Sequence, residues 1–451
     1  MTYCYTTRLK SLIFALLCLP LALWAQPKDN SPYSRFGIGD LVSLNFKASE
    51  QMGGLGASFI DPYNINIVNP ASLSYLSTAT FDIGLHAEYS TLEDRENRNV
   101  GLWNGNIDYI SLAFPLQNRL NDILDRKQRD INLGMAFTLM PYSTVGYDIS
   151  SFFFDENFGQ YEINYEGSGG TYQFAWSNGI RYKDLAFGFN LGYLFGKINN
   201  ITTVSFVDTD VPFNTFLDRN TNMSGFLWRA GLMYSLTLNK AKQADEQSPQ
   251  YKKLTFGLHA NSTTGLNTTA NVFEAGVQIL PDDVTTVLDT FQNVQGERMS
   301  GTLPSQIGMG VTYTNGNKFS LGVNYEATQW SKFSSDFVNN NLKNTYNLSF
   351  GGFYRPNYNS ISNYFSRVYY RFGGYYKKVP VEITEGEDID DIGINIGFGM
   401  PFFYQRKISH ANIGVNLGLR GRGTAIEERY VRFTFSFTFN DDEWFIKRKY
   451  N

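Results

Sequence analysis

Tyr430–Asn440 reads YVRFTFSFTFN, and its period decides the fold. Val431, Phe433, Phe435, Phe437 and Phe439 alternate with Arg432, Thr434, Ser436 and Thr438. A strict alternation puts one set on each face of a β-strand. The same period runs through FDIGLHAEY, where Phe81, Ile83, Leu85, Ala87 and Tyr89 alternate with Asp82, Gly84, His86 and Glu88. It returns in LAFGFNLGYLFG, where Leu185, Phe187, Phe189, Leu191, Tyr193 and Phe195 oppose a face of Ala186, Gly188, Asn190, Gly192, Leu194 and Gly196. In a soluble sandwich or propeller the apolar face is buried and the outer face is charged. Here the second face is mostly Gly, Ala, Ser, Thr and Asn, which suits the lumen of a barrel whose aromatic face meets lipid.

Working outward, about fourteen such strands emerge, and membrane barrels of bacteria favour even numbers. The expected spans are 80–90, 104–114, 131–153, 171–183, 185–199, 223–239, 254–264, 305–314, 318–330, 343–354, 366–377, 391–401, 409–420 and 429–439. Pro141 interrupts the third, because proline withholds a ladder donor and marks a bulge, an edge or a break. Either a plain strand end or a kink that opens the wall sideways accounts for it. Asn315-Gly316-Asn317 is a hairpin turn signal. Connections at 91–103, 154–170, 200–222, 265–304, 331–342 and 378–390 fall on one rim and include the two longest. Long external loops and short periplasmic turns then put both termini in the periplasm.

Composition agrees with an all-β membrane protein. The 451 residues include 37 Phe, 29 Tyr and 41 Gly but only 14 Pro, with 18% charged. Such a profile is neither disordered nor that of several small soluble domains. The net charge of −4 supplies no basic footprint for nucleic acid. Residues 1–25 read as a secretory signal: Arg8 and Lys10, an apolar run from Ser11 to Trp24, and cleavage after Ala25. Leu17 directly before Cys18 argues against lipidation there. Cys4 and Cys18 both lie in this segment, so the chain beyond it has no thiol chemistry and no disulfide.

Residues 26–79 differ from the strands that follow. Met52-Gly53-Gly54-Leu55-Gly56 tempts a dinucleotide reading, but the G-x-G-x-x-G spacing from Gly54 needs Gly where Phe59 stands, and no strand precedes it. Asn69 is suited to cap a helix and Pro70 to its first turn, so Ala71–Leu76 is expected to form a short helix. A compact turn-plus-helix placed just before strand one suits a lumenal plug. His86, His259 and His410 have no metal-ligand spacing, and no Ser-His-Asp or paired-carboxylate set assembles. The reading is therefore of a non-enzymatic barrel without metal or cofactor. Residues 440–451 form a charged periplasmic tail in which Trp444, Phe445 and Ile446 are a candidate docking peptide.

The order of these parts resembles the FadL-type outer-membrane barrels, the long-chain fatty acid transporter superfamily. The resemblance lies in MGGLGAS…DPYNINIVNPASLS followed by TFDIGLHAEYS, with further echoes in INLGMAFTLMPYSTVGYDI and LPSQIGMGVTYTNGNKFSLGVNYEATQWSKF. SPYSRFGIGDL and WFIKRKY resemble a subgroup from Bacteroidota. The resemblance implies a fourteen-stranded barrel over 80–439 plugged by an N-terminal hatch, set in outer-membrane lipid and lipopolysaccharide by barrel-assembly machinery. It implies passive transport of an apolar ligand past the hatch and out through a kink in the third strand. Met52, Gly53, Gly54, Gly56, Asn69, Pro70 and Ala71 would form the hatch turn, and Pro141 the kink. The superfamily also contains barrels resembling the shuttle of type IX secretion. The alternative is thus a non-transporting subunit of a secretion or barrel-assembly complex, with other envelope proteins as partners.

Overall fold

The structure is a computed structural model that describes residues 31–96, 98–117, 130–156, 159–206, 214–239, 251–279, 285–335, 342–382, 386–404 and 407–444. Fourteen antiparallel strands close into a barrel. They are β1 (Ala79–Asp94), β2 (Asn99–Pro115), β3 (Ile131–Asp155), β4 (Gly159–Tyr182), β5 (Leu185–Phe206), β6 (Asn214–Thr237), and β7 (Lys252–Asn261 with Thr264–Ile279). β8 (Thr285–Leu303 with Gln306–Asn315), β9 (Phe319–Thr328), β10 (Thr345–Tyr354), β11 (Tyr369–Lys378), β12 (Asp390–Tyr404), β13 (Lys407–Arg420) and β14 (Ile426–Asp441) complete it. Closure is made by β14 on β1, in register from Ile426 opposite Asp94 to Asp441 opposite Ala79.

The alternation in the sequence becomes the wall. Phe433, Phe435 and Phe437 are exposed on the outer surface, as are Phe187, Phe189 and Leu191, while Thr434, Ser436 and Thr438 are buried inside. Closure of β14 on β1 leaves no terminal strand, and the apolar outer face is the surface a bilayer requires. The Asn315 hairpin forms as its sequence suggests, with Gly316 at φ 51° and Lys318 N donating to Asn315 O.

The barrel is taller on one side than the sequence suggests. β3 to β6 run 22 to 25 residues, whereas β9, β10 and β11 run ten each. The stretch 265–304, expected as an external loop, is a hairpin whose arms pair from Thr285 opposite Ile279 to Leu303 opposite Thr264. The outer parts of 154–170 and 200–222 are likewise strand. Beyond the lipid-facing zone both faces of such strands meet water. Val287, Leu288 and Phe291 sit among exposed polar neighbours, and the apolar alternation that betrays a strand is lost.

Residues 31–78 lie inside the barrel, and the core is the interface between them and the wall. Phe46, Ile65, Ile67 and Leu73 pack on Tyr109, Ala113, Ala136 and Met140 of β2 and β3. Met52, Leu55 and Phe59 pack on Phe353 and Tyr369 of β10 and β11. Tyr33 and Ile38 join Val145, Leu194, Met223 and Leu303 toward the tall side. Each large aliphatic or Phe side chain among them contributes roughly 1.5–3 kcal/mol on burial. The short helix forms as a 3-10 turn over Pro70–Tyr75, and the Asn69 side chain accepts from Ala71 N at 3.2 Å.

Candidate functional site

The lumen is shaped first by glycine. From β3 to β13 every strand presents an inward glycine to the run Gln51–Ser74, and the contacts follow the chain around the wall. Gln51 meets β13 and β12, Gly53 and Met52 meet β11 and β10, and Leu55 meets β9. Ala57 and Ser58 meet β8 and β7, Asn69 meets β6, and Pro70 to Ser74 meet β5, β4 and β3. The inner segment thus circles the lumen. At Gly188 an added Cβ would stand 2.2 Å from Ala71 N, and at Gly373 2.2 Å from Gly53 N. Backbone packs on backbone there, and a side chain has no room.

Polar anchors complete the ring. Asn69 Nδ2 donates to Ala57 O at 2.7 Å and reaches Leu232 O and Leu258 O at 3.2 Å, tying three elements together. Arg371 of β11 donates to Gln51 Oε1 at 2.9 Å and to Asn412 Oδ1 at 2.6 Å. On β1, β2 and β14, where the glycine contacts stop, charge takes over. A bulge on β2 lets Gly84 and Leu85 of β1 face Tyr109 and Ile107. The extra residue is Asp108, and Asp108 and Tyr109 are both buried. Lys47 Nζ sits 2.7 Å from Asp108 and 2.6 Å from Glu50, and Lys47 N donates to Tyr109 Oη. Burial works against the Lys47 ammonium, yet Asp108 and Glu50 outweigh it and hold its pKa above the usual lysine value. His86 Nδ1 lies 2.7 Å from Asp108. Arg432 pairs with Glu88 at 2.5 Å and approaches Glu50 at 4.0 Å.

A second charge cluster holds the start of the inner segment. Arg420 of β13 meets Asp40 at 3.0 Å, Glu428 at 3.4 Å and Asp391 at 3.5 Å. Ser31 Oγ donates to Glu428 at 3.0 Å, and Tyr33 Oη donates to Ile426 O. Burial acts to raise the Asp40 carboxyl, but Arg420 and Lys377 prevail and its pKa is lowered from 3.8. Burial pushes the Tyr33 hydroxyl up to about 12.

The wall is interrupted beside this cluster. β2 and β3 pair only between Ile110/Leu139 and Pro115/Gly134. Pro141 lies just past the last pair, and its ladder to β4 carries a register shift between Pro141 and Ser143. The edge of β3 beyond that point pairs with the two-residue strand Asp40–Leu41, Asp40 opposite Thr144 and Leu41 opposite Ser143. Val42 N donates to Tyr142 O and Ser31 N to Gly146 O. A cavity of about 260 Å³ adjoins this seam, lined by Leu41, Tyr142, Trp228, Arg229, His259 and Glu326 among others. Arg229 donates to Gln306 there at 2.7 Å.

Met52, Gly53, Gly54, Gly56, Asn69, Pro70 and Ala71 are therefore brought into one ring, with Pro141 at the head of the seam. Trp444 stands apart, half exposed and stacked on Phe114 at 6.0 Å, while Phe445 and Ile446 lie outside the described residues. The lumenal charges Lys47, Glu50, Asp108, Glu88, Arg432, Asp40 and Arg420, buried or partly buried, were not legible as a set. The available signal was a charged residue on the small-residue face of an apolar strand, as at Glu88 and Arg432.

Solved structures share the fold. The toluene transporter TodX of Pseudomonas putida is 14% identical, covers 90% of this chain and 99% of its own, and superposes with a TM-score of 0.53. The toluene transporter TbuX of Ralstonia pickettii is 14% identical over 88% of this chain and 99% of its own, TM-score 0.52. A FadL homologue of Pseudomonas aeruginosa is 13% identical over 89% and 99%, TM-score 0.51. At such identities the likeness speaks for the fold. No curated protein matches the sequence. The family model described as BamG matches residues 8–451, nearly the whole length, and the chain belongs to the BamG family.

Proposed function

We propose that the protein is an outer-membrane barrel that serves as a non-transporting subunit of a barrel-assembly complex, with residues 31–78 as a fixed plug. The observation that carries this reading is the ring of inner-segment residues against an inward glycine on every strand from β3 to β13. A conduit needs a plug that yields. This one is packed backbone to backbone at β3, β4, β5, β7, β10 and β11, and its leading part is held by Lys47, Glu50 and Asp40. The family's name points the same way. Both termini then face the periplasm and the tall wall faces outward, with residues 440–451 as a periplasmic stub whose Trp444 rests on Phe114. Purification in gentle detergent with mass spectrometry of what comes along is the test. Stable envelope-protein partners are expected; a lone monomer overturns the reading.

The seam at Pro141 and the cavity beside it favour a second reading, passive passage of an apolar compound of FadL type. Leu41 and Tyr142 line both features, and a shift of Asp40–Leu41 would join the cavity to the membrane. On this reading Ala71→Trp, set in the fully buried ring, abolishes uptake of a hydrophobic test compound. Normal uptake in a deletion strain removes it.

A further inference from the structure

We propose that the unpaired edge of β2, Asn99–Tyr109, receives an extended β-strand from a membrane-embedded partner protein. This rests on the subunit reading above and names where the partner attaches. The two lips of the seam are treated differently. The β3 lip is capped from inside by Asp40–Leu41, by Val42 on Tyr142 and by Ser31 on Gly146. The β2 lip has ladder partners only in β1, from Asn99 opposite Glu93 to Tyr109 opposite Gly84. Among the described residues no other backbone group pairs with it, and within it Ile107 N is met by the Asn106 side chain at 2.9 Å.

Its height on the wall makes this edge consequential. The outward side chains of β1 and β2 pair as Phe81 with Leu112, Ile83 with Ile110, Leu85 with Ile107, and Tyr89 with Trp103. The last two form an aromatic contact at 5.1 Å, of the kind found where the lipid core ends. Trp103–Tyr109 is thus an open edge within the apolar band, roughly 20 Å of strand at about 3.3 Å per residue. Open sheet edges facing lipid do not occur, because each unmet N–H or C=O there costs several kcal/mol. An acyl chain has no group to meet them. An extended peptide supplies donors and acceptors at the right repeat, as in strand addition to a sheet edge. Outward Trp103 and Ile107, 68% and 47% exposed, offer it an apolar flank.

A photoreactive phenylalanine analogue at Trp103 or at Ile107, in the full chain in cells, tests this. Val323 on β9, equally outward on the distant wall, is the control. Gel mobility before and after heating establishes that each variant is a folded barrel. Cross-links from Trp103 and Ile107 are expected on a single partner, mapped to one segment and as far apart there as they are in β2, with none from Val323. Adducts to lipid alone, to another part of this chain, to a second copy, or to scattered sites overturn the proposal. If the complex still co-purifies when the edge makes no such contact, the subunit reading stands and only the edge assignment falls. If neither is seen, both fall.

Discussion

At the scale of single residues, the lumen is built on charges that the sequence does not group. Lys47, 3% exposed, has Asp108 and Glu50 within 2.7 Å. Removing it would leave the buried Asp108 carboxylate with His86 beside it and Glu50 with Arg432 at 4.0 Å, a loss of about 3–5 kcal/mol for a broken buried pair, read as a lower unfolding midpoint in detergent. Asp40 gives a pH dependence whose sign follows from its pKa. The folded value is lowered from 3.8, so its contribution is complete above that value and is lost as pH falls below 3.8 through the folded pKa. Asp40–Leu41 is then expected to leave the β3 edge under acid conditions, measured as faster amide exchange or proteolysis of residues 31–45 below about pH 3.8 than at neutral pH. In Asp40→Asn that acid-induced step is expected to disappear. Persistence of the same step in the variant would assign it to another carboxylate.

At the scale of elements, the inner segment and the strands specify one another through glycine. A strand rich in inward glycine is weak by itself, since glycine loses the most freedom on ordering and packs nothing. Here the missing side chains leave the space the inner segment occupies, with its backbone at Gly188 and Gly373 and its side chains at Gly231 and Gly397. Gly188→Ala brings a Cβ to 2.2 Å from Ala71 N and 2.3 Å from Pro70 C, both backbone. The expected destabilisation is about 1–3 kcal/mol, typical of overpacking, read as a lower unfolding midpoint in detergent. Gly265→Ala, with nothing within 4 Å, is expected to leave the midpoint unchanged. The β2 bulge at Asp108 is the matching device where glycine is absent. It turns two consecutive side chains inward, and Lys47 is held by both.

At the scale of the whole molecule, a barrel of fourteen strands is wide enough that its interior must be filled or left as a channel. This one is filled by its own chain, in a full circuit from the charged contacts at β14, β1 and β2 to the glycine contacts at β3. Deleting residues 31–75 is therefore expected to convert a silent barrel into a conducting one in planar bilayers, while the intact protein shows no stable conductance. Conductance in the intact protein would mean that the ring encloses an open path. The tall wall of β3 to β8 adds an asymmetric crown on the rim opposite the start of β1, while β9 to β11 stop early.

The sequence by itself determined the class of the wall. Period two, with aromatics on one face and small residues on the other, admits few solutions once the strand count is about fourteen, because lipid forces closure. Asn69-Pro70 likewise announced its turn, since capping is local chemistry. Tertiary structure alone decided three things. The crown at 265–304 is strand, because hydrogen bonding to β6 orders residues whose two faces both meet water and so carry no apolar alternation. The circuit of the inner segment depends on glycines spread over eleven strands, and no local pattern says which residue each will meet. The seam at Pro141 looks in sequence like any strand interruption. What distinguishes its two lips is that Asp40–Leu41, a hundred residues upstream, crosses the lumen to cap β3 and leaves the edge of β2 open.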